Sequence, residues 1–304
     1  MERLEGQSVG VVGLARVGVA LRLAAHGHTV IGYDPVPASA EALIAAGGRH
    51  VDSLARLIAA LPAPRLVWAQ LPASAVDDLL ATLQHLLEEG DVLIDASESY
   101  YGDTLRRAEP FAESGVHLVD VGLSGGSWSR TQGYALLVGG SGEAVQLIRP
   151  VLNALAEEGE RGWAHVGSQG AGHFARMIQE GVQYGVAQAI AEGVALLECK
   201  GTLRLDAARV LEVWARASPL RSRLLELTAH GITANPQLES LTPYLDDSAE
   251  ARWAAAEAIE MECPAPVITA ALQNRFRSRV TNSTADRALA LMRRMVGGLG
   301  AREP

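Results

Sequence analysis

Three polar side chains recur at helical spacing within residues 172–185: Arg176, Glu180 and Gln183. The i, i+4, i+7 spacing predicts that they lie on one face of a helix. Arginine, with a pKa above about 12, stays protonated near neutral pH, and glutamine has no acidic proton, so only the glutamate is an ordinary proton carrier. The face is either a catalytic surface with unusual chemistry or an ion-paired helix surface, since Arg176 and Glu180 form a suitable i, i+4 pair.

Two histidines, His165 and His173, lie beside this segment. His173 lies where it could contact a cofactor, although histidines in such positions more often cap or pack. No histidine belongs to a carboxylate cluster with metal-site spacing, and the only two cysteines, Cys199 and Cys263, lack that spacing as well. The sequence therefore predicts neither a metal site nor a disulfide framework.

The composition predicts a two-domain globular protein. The chain has 304 residues, of which 48% are hydrophobic and 20% charged, and a net charge of −9. This acidity disfavours nucleic-acid and anionic-membrane partners, but leaves room for a basic pocket and an anionic small molecule. No apolar run approaches the ~18 residues of a membrane span, and the first apolar run, from Val9, enters a glycine-rich turn and does not resemble a signal peptide. We expect a cytoplasmic protein.

The first half of the chain alternates apolar runs with helical patterns. Runs typical of buried strands occupy 8–13, 29–34, 65–71, 91–97, 115–121 and 133–140, and helical patterns occupy 17–26, 38–46, 74–88, 103–114 and 141–156. This alternation predicts an α/β Rossmann domain, a doubly wound and mostly parallel sheet. After residues 163–172 the composition is helical, with one helix of about 30 residues over 170–200, and residues 165–172 form either a joint or a tight cap. We expect an NAD(P)-binding domain at 1–167 and an all-helical substrate and dimerisation domain at 168–304.

A dinucleotide-binding pattern follows the first predicted strand. Its residues are Gly13, Leu14, Ala15, Arg16, Val17 and Gly18, which open a helix. In the usual Gly-x-Gly-x-x-Gly form the glycines allow a tight turn, a close approach to the pyrophosphate and close helix packing, while the helix N-terminus attracts the phosphates. Ala15 replaces the middle glycine. The pattern predicts cofactor binding, with a Rossmann scaffold that has lost its nucleotide as the alternative.

Asp34 ends the second predicted strand, about 20 residues after the first glycine. Its carboxylate suits the ribose hydroxyls and would repel a 2′-phosphate, and no Lys or Arg follows in DPVPAS, residues 34–39. The sequence therefore favours NAD over NADP. Leu71 and Pro72, after the strand at 65–71, complete the predicted cofactor site.

The motifs together resemble the 6-phosphogluconate dehydrogenase family, in its short bacterial form, within the β-hydroxyacid dehydrogenase superfamily. The resemblance rests on VGLSGGSWSRTQGYALLVGG (121–140), on the helix segment around 172–185 and on 244–279. Members also use the Gly-x-Ala-x-x-Gly variant, which accounts for Ala15. The resemblance implies a cleft between two domains and a homodimer in which the C-terminal region of one subunit reaches the partner's site. It also implies oxidation of a sugar acid followed by decarboxylation, with a lysine base and a glutamate acid.

Part of the family's substrate site is present. The resemblance assigns substrate binding to Ser124, Gly125 and Gly126, and phosphate contacts to Tyr184 and Arg221. The alternatives without a role in binding are that Ser124 is a turn residue and that Arg221 is a surface cation. The resemblance also implies an intersubunit cation, for which Arg275, Arg277 and Arg279 are the candidates, and the sequence does not identify which of them it is.

The family's catalytic residues are exchanged. The lysine is Arg176, the histidine Gln179, the asparagine Glu180 and the acid glutamate Gln183. A further asparagine, which contacts nicotinamide and substrate in the family, is Glu98.

We therefore expect an NAD(P)-dependent oxidoreductase that transfers hydride to or from a different small substrate, anionic or bearing a carbonyl or imine. Arg176 would orient a carboxylate or phosphate, and Glu180 or Glu98 would carry a proton. The alternatives are a non-catalytic dinucleotide-binding or sensor protein, and an authentic decarboxylating 6-phosphogluconate dehydrogenase.

Overall fold

The computed structural model describes residues 6–126, 128–236, 238 and 240–297. Within this part of the chain, eight strands form a single sheet in the order β3-β2-β1-β4-β5-β6-β7-β8. The strands are β1 Ser8–Val12, β2 Thr29–Tyr33, β3 Arg49–Val51, β4 Leu66–Ala69, β5 Val92–Asp95, β6 His117–Ser124, β7 Ala135–Gly139 and β8 Trp163–Gly167. Only the β6–β7 pairing is antiparallel. The chain order reverses between β1 and β4, which is the switch point where doubly wound sheets bind ligands.

Helices connect the strands and cover both faces of the sheet. They are α1 Gly18–Ala25, α2 Glu41–Ala45, α3 Leu54–Ala59, α4 Val76–Gln84, α5 Tyr101–Glu113, α6 Ser129–Gln132, α7 Gly142–Leu147 and α8 Arg149–Leu155. Alternate residues of a strand point to opposite faces. Accordingly Trp68 of β4 belongs to one buried apolar cluster, while its neighbours Val67 and Ala69 belong to the other. The predicted doubly wound α/β domain is confirmed.

Several local predictions were incomplete. Neither helix α3 nor strand β8 was predicted, and β8 lies where the sequence predicted only the segment before the long helix. The pattern at 141–156 forms two helices instead of one, because Pro150 lies in the first turn of α8, where its missing N–H is tolerated, and it cannot continue α7. The edge strand β3, with the sequence RHV, was not predicted, because three residues are too few to show a strand period.

After Gly167, every regular element in the described part of the chain is a helix. The helices are α9 Ala171–Cys199, α10 Ala207–Ala217, α11 Arg223–Ala234, α12 Ala249–Glu260, α13 Pro266–Ser278 and α14 Thr284–Gly297, with one short 3-10 turn between α9 and α10. The 29 residues of α9 confirm the long helix predicted over 170–200. None of the helices in the described ranges is long and apolar enough to cross a membrane.

Contacts divide the chain into one compact unit that ends at Gln179 and a second that begins at Glu180. The division falls inside α9, whose first third belongs to the first unit. In the second unit, one apolar cluster forms around Leu211 of α10 and another around Leu272 of α13. The predicted domain boundary at residue 167 stays a prediction.

Candidate functional site

Four predicted site segments meet at one edge of the sheet in the first unit. β1, β4, β5 and β6 are parallel neighbours, so their carboxyl ends share an edge. The segments that follow these ends are the turn at 13–17, residues 71–72, residues 96–99 and residues 124–126. The turn and residues 71–72 flank the switch point between β1 and β4, and the other two segments follow in order along the edge.

The glycine-rich turn begins with a conformation that only glycine can adopt. Gly13 has φ +92°, and a Cβ there would lie 2.2 Å from the carbonyl oxygen of Gln70, so only glycine fits. Ala15 and Arg16 are exposed, so the methyl group of Ala15 is not buried against the sheet. Helix α1 follows with the N–H groups of its first turn lacking partners within the helix. This end of α1 can therefore receive a pyrophosphate.

Asp34 fixes the turn from the end of β2. Its carboxylate accepts the main-chain N–H of Leu14 at 2.7 Å and that of Val36 at 2.8 Å. Each carboxylate oxygen has a second lone pair. Asp34 can thus hold the turn and also accept a hydrogen bond from a ribose hydroxyl. The residues that would hold the dinucleotide are Gly13, Ala15, Arg16, Val17, Gly18, Asp34, Leu71 and Pro72. When bound, that group accepts or donates a hydride.

The segments after β4 and β5 are joined by hydrogen bonds. The N–H of Leu71 donates to Ser97 Oγ at 3.1 Å. The buried carboxylate of Asp95 accepts the N–H of Ser97 at 3.0 Å and the hydroxyl of Ser99 at 3.3 Å. Pro72 lies at the surface, next to this network. The network positions Glu98, which lies between the two serines.

Glu98 forms an ion pair with the glycine-rich turn. Its Oε1 lies 2.7 Å from Nη1 of Arg16, and the two side chains are 50% and 65% exposed. Arg16 follows β1 and Glu98 follows β5, with β4 between the two strands. The pair therefore spans the carboxyl end of β4, beside the switch point.

The loop at 124–126 owes its shape to contacts within the first unit. A Cβ on Gly125 would lie 2.1 Å from Ser129 Oγ, and one on Gly126 would lie 2.4 Å from the ring of Trp128. The N–H of Gly126 donates to Ser129 Oγ at 2.8 Å. These contacts explain why both positions require glycine. They also give a packing role to Trp128, to which the sequence assigned no role.

Arg176 and Gln179 flank the end of β6. Nε of Arg176 donates to the carbonyl oxygen of Leu123 at 3.1 Å, and Nε2 of Gln179 donates to Ser124 Oγ at 2.9 Å. A Cβ on Gly122 would lie 2.5 Å from Cβ of Arg176, which shows how closely α9 packs on the strand. A guanidinium is thus fixed beside the candidate substrate loop.

A buried aspartate positions the start of α9. Asp120 of β6 accepts the N–H groups of Gly170 at 2.7 Å and His173 at 2.9 Å, and the side-chain amide of Gln169 at 3.1 Å. Residues 168–170, between β8 and α9, therefore form a tight cap, which is one of the two predicted alternatives. His173 is buried and its Nδ1 bonds Thr104 Oγ1 at 2.7 Å. It packs within the first unit.

His165 lies on β8, also in the first unit. Its Nε2 is 2.9 Å from the carbonyl oxygens of both Gly140 and Gly167. These contacts account for the residue without a catalytic role.

Glu180, Gln183, Tyr184 and Arg221 belong to the second unit. Glu180 is half-buried and Gln183 is exposed. Tyr184 is only 5% exposed, and its hydroxyl accepts the N–H of Ser248 at 2.8 Å. Arg221 is exposed in the turn between α10 and α11.

The three arginines around the end of α13 have partners within the second unit. The guanidinium of Arg275 lies 3.6 Å from the ring centroid of Tyr184, and its Nη1 donates to the carbonyl oxygen of Asp246 at 2.8 Å. Arg277 pairs with Asp286.

Arg279 pairs with the side chain of Asp247, which Arg252 also contacts. The hydrogen bond from Arg252, with a second from Arg279, lowers the pKa of Asp247 to about 2. None of the three candidate arginines is distinguished as an intersubunit cation by these contacts.

Sequence reasoning missed three residues that organise the site. Asp120 left a signal, a lone charge inside the apolar run LVDV, which is typical of a buried and fully hydrogen-bonded carboxylate. Arg22 of α1 donates to the carbonyl oxygens of Leu155, Thr131 and Ala156, all distant in sequence, so nothing local revealed it. The same is true of Tyr134, whose hydroxyl lies against Gly18.

Comparison with known proteins identifies both halves of the chain. Residues 8–167 match the family described as the NAD binding domain of 6-phosphogluconate dehydrogenase. Residues 172–295 match the C-terminal domain of 6-phosphogluconate dehydrogenase.

Two relatives illustrate the match along the chain. The NAD(+)-dependent, decarboxylating 6-phosphogluconate dehydrogenase of Haloferax volcanii is 34% identical over 299 residues, covering 97% of each chain. The NADP(+)-dependent, decarboxylating enzyme of Bacillus subtilis is 33% identical over 291 residues, covering 90% of this chain and 61% of the relative. The relatives thus differ in the nicotinamide dinucleotide for which they are named.

Solved structures share the fold. The Plasmodium falciparum 6-phosphogluconate dehydrogenase aligns with a TM-score of 0.82 at 23% identity, covering 95% of this chain and 64% of that one. The Mycobacterium tuberculosis 3-hydroxyisobutyrate dehydrogenase aligns with a TM-score of 0.73 at 21% identity, covering 90% and 93%. With both halves matched in order, and with a relative of equal extent, the chain belongs to the 6-phosphogluconate dehydrogenase family and has its nicotinamide-dinucleotide-binding domain.

Proposed function

We propose that this protein is an NAD-dependent oxidoreductase that transfers hydride to or from a small carboxylate-bearing substrate other than 6-phosphogluconate. The observation that carries the proposal is Arg176, a permanent cation held against the Leu123 carbonyl at the end of β6. In the family the corresponding residue is the lysine base. A guanidinium suits a carboxylate, which it binds through two parallel hydrogen bonds, but it removes no proton near neutral pH.

The second departure concerns the acid. Gln183 occupies the position of the glutamate that protonates the enol after decarboxylation in the family. An amide has no acidic proton to give. Losing general acid–base assistance typically costs about 10²–10⁴-fold in rate for each group. Hydride transfer does not require the enol step, so it survives the loss of the acid, whereas oxidation of a hydroxyl group would need another base in place of the lysine. Glu98 and Glu180 are the carboxylates proposed to handle protons.

NAD is the proposed cofactor. Asp34 is 8% exposed, already accepts two main-chain N–H groups and keeps lone pairs for a ribose hydroxyl. A 2′-phosphate beside this carboxylate would be repelled, and residues 35–39 provide no Lys or Arg to offset that repulsion. Calorimetric titration should give a lower Kd for NAD than for NADP. Asp34→Asn should reduce the difference between the two Kd values, because it weakens NAD binding.

A homodimer that involves the C-terminal region is also proposed, in a cytoplasmic protein. Helix α14 leaves Leu289, Leu291, Met292 and Met295 more than half exposed, with Met295 at 78%. No side chain of α14 whose exposure is described is buried, and a 14-residue helix is marginal by itself. Apolar side chains in this number on one helix are typical of a surface that a second subunit covers.

Spectrophotometry with a substrate panel tests the proposal. The protein is mixed with NAD or NADH and with hydroxy acids, keto acids, amino acids and imines, and the dinucleotide is followed by its near-ultraviolet absorbance. We expect turnover of a carboxylate-bearing compound and a higher KM in Arg176→Gln, with Arg161→Gln as an exposed control. Binding of NAD without turnover of any compound would instead favour a sensor.

A further inference from the structure

The ion pair between Arg16 and Glu98 lies where the dinucleotide has to bind. It joins the turn after β1 to the segment after β5 at 2.7 Å, across the carboxyl end of β4. This is the switch-point crevice of the sheet. We propose that Arg16 covers Glu98 in the free protein, and that Glu98, once uncovered by cofactor binding, binds the positively charged nitrogen of an amino-acid substrate. The inference rests on the proposed function.

The ion pair between Arg16 and Glu98 can open at little cost in free energy. Both partners are at least half exposed, and an exposed ion pair contributes only about 0–1 kcal/mol. Arg16 lies in the turn whose main-chain N–H groups attract a pyrophosphate. A pyrophosphate carries more negative charge than one carboxylate, and arginine binds phosphate through two parallel hydrogen bonds. Arg16 therefore exchanges Glu98 for the pyrophosphate, which leaves the carboxylate without its cation.

The uncovered carboxylate lies in the segment after β5, and a guanidinium is fixed at the end of the neighbouring strand β6. Glu98 follows β5, and Arg176 contacts the end of β6, its parallel neighbour. Neighbouring strands are only about 4.8 Å apart. Opposite charges at this edge match a substrate with a carboxylate and an ammonium group a few bonds apart. A sugar acid phosphate has negative groups only, and Glu98 would repel it.

The negative charge of Glu98 also suits the oxidation of an amino group, a reaction that does not need the family's lysine base. Oxidation of an amino group breaks one ammonium N–H bond and the neighbouring C–H bond and forms a carbon–nitrogen double bond. The hydrogen of the C–H bond leaves with its electron pair to the oxidised nicotinamide dinucleotide, and the ammonium proton passes through Glu98 to solvent. Overall, the ammonium ion and the oxidised dinucleotide give an iminium ion, the reduced dinucleotide and a proton. The product is a cation, which a carboxylate stabilises in either direction.

Binding measurements with matched amines and alcohols test this inference without requiring turnover. The probes are alanine against lactate and β-alanine against 3-hydroxypropionate, titrated calorimetrically into the protein with and without saturating NADH. We expect the amino acid of at least one pair to bind the loaded protein about tenfold more tightly than its hydroxy partner, because a hydrogen bond to a charged group is worth at least that factor. Without the cofactor this preference should vanish.

Variants of Arg16 and Glu98 test whether the preference for the amine depends on their ion pair. Glu98→Gln should abolish the preference for the amine while NADH binds at least as tightly as before, and Glu98→Asp should keep part of the preference. Arg16→Gln should allow amine binding without cofactor. Glu113→Gln, an exposed carboxylate at the end of α5, is the control that should change nothing.

Three results would overturn the inference. The first is that the amino acid and the hydroxy acid bind the NADH-loaded wild-type protein equally tightly. The second is that Glu98→Gln weakens the binding of both equally. The third is that Glu98→Gln changes only the ratio of the affinities for NAD and NADH. The last would mean that Glu98 serves the nicotinamide ring. The proposed function fails separately, if the substrate panel shows no turnover.

Discussion

The hydroxyl of Tyr134 fills the space that a side chain at Gly18 would need. A Cβ on Gly18 would lie 2.6 Å from Tyr134 Oη, whereas the next atom of that ring, Cζ, would be 3.9 Å away. The last glycine of the predicted dinucleotide turn is thus required by a tyrosine that follows the candidate substrate loop in the sequence. A Cβ on Gly125 would lie 2.9 Å from Cδ1 of the same tyrosine, so Tyr134 lies between the two predicted sites of the first unit.

This contact predicts a pairwise rescue. Gly18→Ala should lower the free energy of unfolding by about 1–3 kcal/mol, the usual cost of overpacking, and should weaken NAD binding. Tyr134→Phe removes the clashing oxygen, so the double variant should recover most of both losses. Urea unfolding and NAD titration measure them. Gly142→Ala, with open space around the new methyl group, is the control and should be nearly neutral. Additive losses in the double variant would show that the contact is unimportant.

The cap on α9 predicts a large effect on stability. Asp120 is fully buried and accepts three N–H groups. Asp120→Asn keeps the size but turns an acceptor into a donor, so unfolding should become easier by about 2 kcal/mol or more. Asp206→Asn is the matched control, because Asp206 caps α10 by accepting only the N–H of Arg209 and asparagine caps equally well. Equal urea midpoints for the two variants would contradict this account.

Asp247 predicts a specific acid dependence. Hydrogen bonds from Arg252 and Arg279 lower its pKa from 3.8 to about 2. Because the folded value is the lower one, the carboxylate stabilises the fold above its unfolded pKa, and this contribution disappears as the pH falls toward about 2.

The thermal midpoint of wild type should therefore exceed that of Asp247→Asn at pH values above about 4, and the two should converge as the pH falls toward about 2. Asp52→Asn, which loses only the exposed pair with Arg56, should show no comparable convergence. A constant difference between wild type and Asp247→Asn across this range would be evidence against the role of the carboxylate.

The exposed face of α14 predicts the assembly state. Replacing Leu291 and Met295 with lysine should convert a dimer into a monomer in sedimentation experiments, because charges cannot be buried without partners. Arg293→Gln, on the same helix, should leave the dimer intact. A wild-type protein that sediments as a monomer at micromolar concentration would remove the basis for the proposal.

The sequence predicted what depends on local pattern. Apolar runs located the strands around the switch point, and helical composition located α9. Gly13 and Asp34 predicted the cofactor turn because their roles follow from a positive φ and a strand end. Relationships between distant residues were out of reach, as with Arg16 and Glu98, because a side-chain pair leaves no periodic trace. Tyr184 illustrates another limit. Its type matches a phosphate ligand, yet its hydroxyl bonds Ser248 and its ring stacks under Arg275.

The rate of 6-phosphogluconate oxidation tests the central claim most directly. Purified wild type is assayed with saturating NAD or NADP, beside a family member that has the lysine and the glutamate, and both dinucleotide reduction and carbon dioxide release are measured. With Arg176 and Gln183 in those positions, we predict a kcat at least about 10²–10⁴-fold below that of the comparison enzyme. An ordinary rate that Arg176→Ala abolishes would contradict the account, because the arginine would then be doing the work of the base.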